Sequence, residues 1–70
     1  MTPRERLAIL EMPYLRPCDI CRVIEKPRAT VYKILKRSEI KKYPSLGYLT
    51  DDIIKAFQLQ GAIKRWRANA

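Results

Sequence analysis

The chain has no histidine, two glycines, two cysteines and only seven acidic residues in 70. Without histidine the usual general base is missing, and no nucleophile–base constellation is visible. Two isolated glycines cannot build a Gly-rich phosphate loop. Most of the acids are accounted for as helix caps (Glu5, Asp19, Asp51 and Asp52), so an enzyme is the class the sequence supports least. Zinc normally takes four ligands, whereas Cys18 and Cys21 stand alone, so four thiolates would require a site shared between subunits. Their Cys-x-x-Cys spacing also lacks the βαβ context of a thioredoxin-like motif. No cofactor or metal is expected. No run approaches the ~20 apolar residues that span a bilayer. The opening Met-Thr-Pro-Arg-Glu-Arg is not followed by the apolar stretch of a secretory signal. A reducing, cytoplasmic setting away from membranes is the expectation. There are no internal repeats and no low-complexity segments.

Hydrophobic residues make up 47% of the chain, enough for one small core and too many for a disordered tail. Residues 1–70 therefore read as a single domain near the lower size limit for folding without staples. Fifteen basic residues give a formal charge of +8, which suggests a polyanionic partner. The distribution says more than the total. The first 25 residues are balanced, while Lys26 to Lys42 carry seven basic residues against one acid, Glu39.

Within that basic stretch lies Pro-Arg-Ala-Thr-Val-Tyr-Lys-Ile-Leu-Lys-Arg, residues 27 to 37. On a helix, Val31, Ile34 and Leu35 fall at i, i+3 and i+4 and form a narrow apolar stripe. Arg28, Thr30, Lys33, Lys36 and Arg37 then occupy the other side. A second short apolar segment, Pro17 to Ile24, lies just upstream and is joined through Glu25-Lys26. Two short helices so joined, the second basic, make a helix-turn-helix that would place residues 28–37 in a DNA major groove.

The flanking segments complete the expected order. Thr2, Pro3 and Glu5 form a capping-box start for a helix ending near Glu11. Tyr14-Leu15-Arg16 should be extended, because Pro17 disfavours a helical residue before it. Pro17 then suits the first position of the next helix, with Asp19 in its first turn. Ile40 to Tyr43 and Gly47 to Leu49, around Pro44-Ser45-Leu46, read as a small hairpin or wing. Thr50-Asp51-Asp52 is a second N-cap signal, followed by inward-facing Ile53, Ile54 and Phe57. Gly61 either ends that helix or interrupts it before a basic tail, residues 62–70. The fold expected is mainly α with a small β wing, a winged helix-turn-helix of three to four short helices.

This order resembles the MerR-like winged helices of phage excisionases and AlpA-type regulators over residues 14 to 58. The resemblance is carried by Tyr14-Leu15-Arg16, Ala29-Thr30-Val31-Tyr32-Lys33-Ile34, Glu39-Ile40, Gly47 and Leu49-Thr50-Asp51-Asp52-Ile53. Residues 1–13 lie outside it. The family usually has Gly and Ser in the turn, where this chain has Glu25 and Pro27. It also usually has an Arg pair after the wing glycine, where this chain has Tyr48. The resemblance implies a factor of a phage or other mobile element that binds near recombination sites, often as several adjacent copies. Such a factor serves as an excisionase, bending DNA, or as a transcriptional regulator, with a recombinase as a further possible partner.

The expected contact residues for duplex DNA are Arg28, Thr30, Tyr32, Lys33, Lys36, Arg37, Lys41 and Lys42. Arg28 and Lys33 suit bases or phosphates, and Thr30 a phosphate or thymine methyl. The plainer reading of the same residues is a solvated polar face. Tyr32 either reaches a phosphate or packs against the wing. Lys41 and Lys42 alternate faces if that segment is a strand, so at most one points toward DNA. Cys21 is expected in the helix packing as a small hydrophobe, with Cys18 partly exposed. Trp66, among Lys64, Arg65 and Arg67, is expected to pack within the chain or on a second copy rather than stand free. Two other functions remain open. A single-strand nucleic-acid binder would stack bases on Tyr43 and Tyr48. A protein-interaction adaptor would use the basic face against an acidic partner.

Overall fold

The first helix, α1 (Pro3–Leu10), is started by reciprocal capping. The Thr2 hydroxyl accepts from the Glu5 backbone N–H at 3.2 Å, and the Glu5 carboxylate accepts from the Thr2 N–H at 3.3 Å. A computed structural model describes residues 1–70 and places four more helices and three strands after it. Strand β1 (Tyr14–Leu15) leads into α2 (Pro17–Ile24), whose first turn is closed by the Asp19 carboxylate accepting from the Arg16 N–H at 3.2 Å. After Glu25 the chain turns, and α3 (Arg28–Ser38) begins behind an extended Pro27. The hairpin follows as β2 (Lys42–Tyr43) and β3 (Gly47–Leu49), then α4 (Thr50–Ala56) and α5 (Gln60–Asn69).

The sheet is antiparallel with order β1-β3-β2. Tyr14 pairs with Leu49 and Leu15 with Tyr48, while Lys42 pairs with Tyr48 and Tyr43 with Gly47. The hairpin matches the sequence expectation. The segment expected only to be extended proves to be its third strand. Gly47 permits that pairing, since its φ is 103° and a methyl group there would lie 2.3 Å from the Leu15 carbonyl oxygen.

The core joins Leu15 of β1, Ile20 and Val23 of α2, Val31 and Leu35 of α3, Tyr48 of β3, Ile53 of α4 and Leu59. It thus fastens the two helices of the helix-turn-helix to the sheet and α4. Helices α1 and α5 pack on each other, and α1 also contacts α2.

Three expectations are corrected. There are five helices, not three or four, because residues 60–69 form a helix where a basic tail was expected. The break before it is not at Gly61, which lies inside α5 in open space. It falls at Gln58, with φ 53°, and lets Leu59 turn into the core. Thr50 does not cap α4; Leu49 occupies the N-cap position. Buried Thr50 instead donates its hydroxyl to the Met12 carbonyl and its N–H to the Pro13 carbonyl at 3.1 Å. Those two bonds tie the α1–β1 connection to the start of α4.

Candidate nucleic-acid interface

Helix α3 divides as its 3.6-residue period requires. Val31 and Leu35 are buried, with Ile34 and Ser38 half-buried beside them. Arg28, Ala29, Tyr32, Lys33, Lys36 and Arg37 are all exposed. Ala29, Lys33 and Lys36, at i, i+4 and i+7, form the ridge farthest from the core. Arg28 and Tyr32 flank this ridge on one side and Arg37 on the other. Thr30 sits nearer the core and is only partly exposed. Tyr32 is 47% exposed.

None of these cations is neutralised within the chain. The only side-chain ion pair joins Arg6 to Glu25, so Arg28, Lys33, Lys36, Arg37, Lys41 and Lys42 are left without a carboxylate partner. The acids are elsewhere, at the ends of helices. Glu5, Asp19, Asp51 and Asp52 stand in first turns, and Glu11, Glu25 and Glu39 are C-caps. The body of α3 is therefore left to positive charge.

Beside this helix pair, the wing carries both lysines exposed. Lys41, just before β2, folds its ammonium over the Tyr43 ring, 4.8 Å from the centroid. Lys42 lines a shallow groove of about 380 Å³ with Arg16, Pro17, Tyr43, Ser45 and Gly47. The Arg16 guanidinium donates to the Ser45 carbonyl across that groove at 3.5 Å. Tyr43 packs edge-on against Tyr14, with centroids 5.5 Å apart and planes at 67°. Tyr48 is buried in the core. The two wing tyrosines thus do not form a shared exposed platform for stacked bases.

Arg16 and Ala29 are not among the contact residues expected from sequence. Arg16 reaches the wing only because β1 joins the sheet, a pairing that no local signal reports. Ala29 carries no charge to draw attention, although the helical period alone places it on the exposed ridge. Cys21 is half-buried against the core and Cys18 is exposed, both as free thiols. Trp66 is half-buried, with the Arg6 guanidinium carbon 5.2 Å from its ring centroid, so it packs within the chain. No helix is long and apolar enough to cross a membrane. No protein family, curated protein or solved structure matches the chain.

Proposed function

We propose that this chain binds double-stranded DNA, with α3 in the major groove and the wing against the backbone. The observation that carries the reading is the exposed ridge of α3, whose cations have no acidic partner while its opposite side is locked into the core. A helix so held offers a rigid cationic face of the width a major groove accepts. Lys33 and Lys36 are the central contacts. Arg28, Thr30, Tyr32 and Arg37 are flanking ones, and of the two wing lysines Lys42 is the one that reaches, Lys41 being folded over Tyr43. The burial of Tyr48 counts against single-strand stacking, which needs exposed aromatic faces.

Within that reading, the resemblance to MerR-like factors favours an excisionase or small transcriptional regulator of a mobile element. It would act as adjacent copies, with a recombinase as a possible further partner. A cytoplasmic setting belongs to the same reading.

The test is fluorescence anisotropy on a labelled duplex and its matching single strand across a salt series. Preference for duplex is expected, with an affinity that falls steeply with salt as counterions are released. Lys33→Ala should weaken binding and reduce the slope of log K against log salt by about one if Lys33 meets a phosphate. If Lys33 meets a base, specificity should relax at one position, by roughly 1–3 kcal/mol. Preference for single strands would move the interface off α3. Absence of binding to either would leave an acidic protein as the partner.

A further inference from the structure

Arg6 is the one arginine of the chain that is not exposed. From α1 its guanidinium reaches the joint between α2 and α3. Nη1 donates to the Val23 carbonyl at 2.6 Å, and Nη2 lies 2.8 Å from Glu25 Oε1. The guanidinium also lies over Trp66 of α5. A single side chain therefore connects both terminal helices to the turn of the helix-turn-helix.

That turn is under two stresses. Glu25 holds φ 54° and ψ 45°, the left-handed region that a residue with a side chain avoids. It also places a carboxylate at a helix C-terminus, where the helix dipole repels negative charge. The bond from Arg6 opposes both, because its fork fixes the carboxylate and the neighbouring carbonyl together. Only Lys26 and Pro27 separate Glu25 from α3, so the conformation at Glu25 sets where the cationic ridge is aimed. Glu39 has the same left-handed geometry after α3, with φ 53°, and has no cationic partner. It supplies a control within the same molecule.

We propose that Arg6 is a positioning residue for the α3 interface. It holds the α2–α3 turn through Glu25 and Val23 and sets the pose of α3 without touching the nucleic acid. Its effect on affinity rests on the DNA reading above; its effect on the turn does not.

The test uses the full chain and four variants: Arg6→Met, Glu25→Gly, and Arg6→Met combined with either Glu25→Gly or Glu39→Gly. Methionine keeps an apolar stem for Trp66 and removes the fork. Duplex affinity, its salt slope and amide hydrogen exchange over residues 25–30 are measured below the unfolding transition. Arg6→Met should lower affinity about tenfold with an unchanged salt slope, and should speed exchange in the turn. Glu25→Gly alone should leave affinity near wild type. Combined with Arg6→Met it should restore most of both losses, since glycine adopts the left-handed conformation freely. Glu39→Gly should restore neither. A reduced salt slope in Arg6→Met would make Arg6 a direct phosphate contact and overturn the proposal. So would unchanged affinity and exchange, or a failure of Glu25→Gly to rescue. If Arg6→Met does not fold, Arg6→Gln takes its place under the same criteria, since it too removes the charge and the fork. If the wild type binds no duplex, the DNA reading falls, and the exchange pattern still decides whether Arg6 holds the turn.

Discussion

At Gly47 the backbone of β3 comes so close to β1 that any β-carbon would meet the Leu15 carbonyl. Gly47→Ala should therefore destabilise the fold by roughly 2–3 kcal/mol, from left-handed strain and overpacking together. Urea unfolding measures it, and an unchanged midpoint would mean that β1 is not held by β3. Glu5 offers a gentler case. Its carboxyl is held below the ordinary carboxylate range, first by the Thr2 hydroxyl and then by the Thr2 backbone N–H. A carboxyl whose folded pKa is lowered stabilises the fold above its unfolded pKa, near 4.5, and loses that contribution as pH falls through the folded value. Glu5→Gln should accordingly lower the melting temperature slightly at neutral pH and leave it close to wild type in acid. Both residues in the Thr2–Glu5 box could be read from sequence, because capping operates across three positions. Thr50 shows the limit of the same rule. It has the composition of a cap, but Met12 and Pro13 claim its hydroxyl and N–H.

Along the elements, period and punctuation served well where the partners are near in sequence. Pro17 opens α2, the stripe of Val31, Ile34 and Leu35 orients α3, and the turn at Pro44–Leu46 separates the two hairpin strands. The exposed arc expected for α3 is the arc observed, apart from half-sunk Thr30 and the unlooked-for Ala29. The C-terminal third departs further from its local signals. A glycine is the strongest helix breaker after proline, yet Gly61 sits in the first turns of α5 and the reversal occurs at Gln58. Burial of Leu59 against the core outweighs the preference of glutamine for ordinary backbone angles. Gly61 meets nothing within 4 Å. Gly61→Ala should thus stabilise α5, by about 0.5–1 kcal/mol, measurable as a higher melting temperature. A loss of stability would show that glycine is needed there. The opposite signs forecast for Gly47→Ala and Gly61→Ala follow from surroundings that sequence does not display.

The whole molecule measures 32 × 21 × 18 Å, so its longest dimension is about one helical turn of duplex, roughly 34 Å. On the proposed DNA reading, one copy would engage one major-groove segment, with a footprint near the low end for single DNA-binding modules. Binding to a duplex of two or more turns should be cooperative, with two or more copies per specific site. Sedimentation with labelled duplexes of increasing length checks this, and strict one-to-one binding on long sites would contradict it. Charge at this scale was evident from composition, and so was its concentration between Lys26 and Lys42. Its delivery to one side of a fixed helix depends on packing.

The chain itself determined the starts of α1, α2 and α3, the amphipathic split of α3, the hairpin and the basic segment. These come from caps, prolines and side-chain periods that act within a few residues of their cause. Tertiary structure alone decided that β1 joins the sheet, that Arg16 faces the wing, that Thr50 serves as a tie, and that Arg6 holds the turn at Glu25. Each of those joins groups far apart in the chain, as with Thr50 and Met12, 38 residues from one another. Such contacts form only once a shared core has brought distant segments together. Local propensity contains no record of where they will meet.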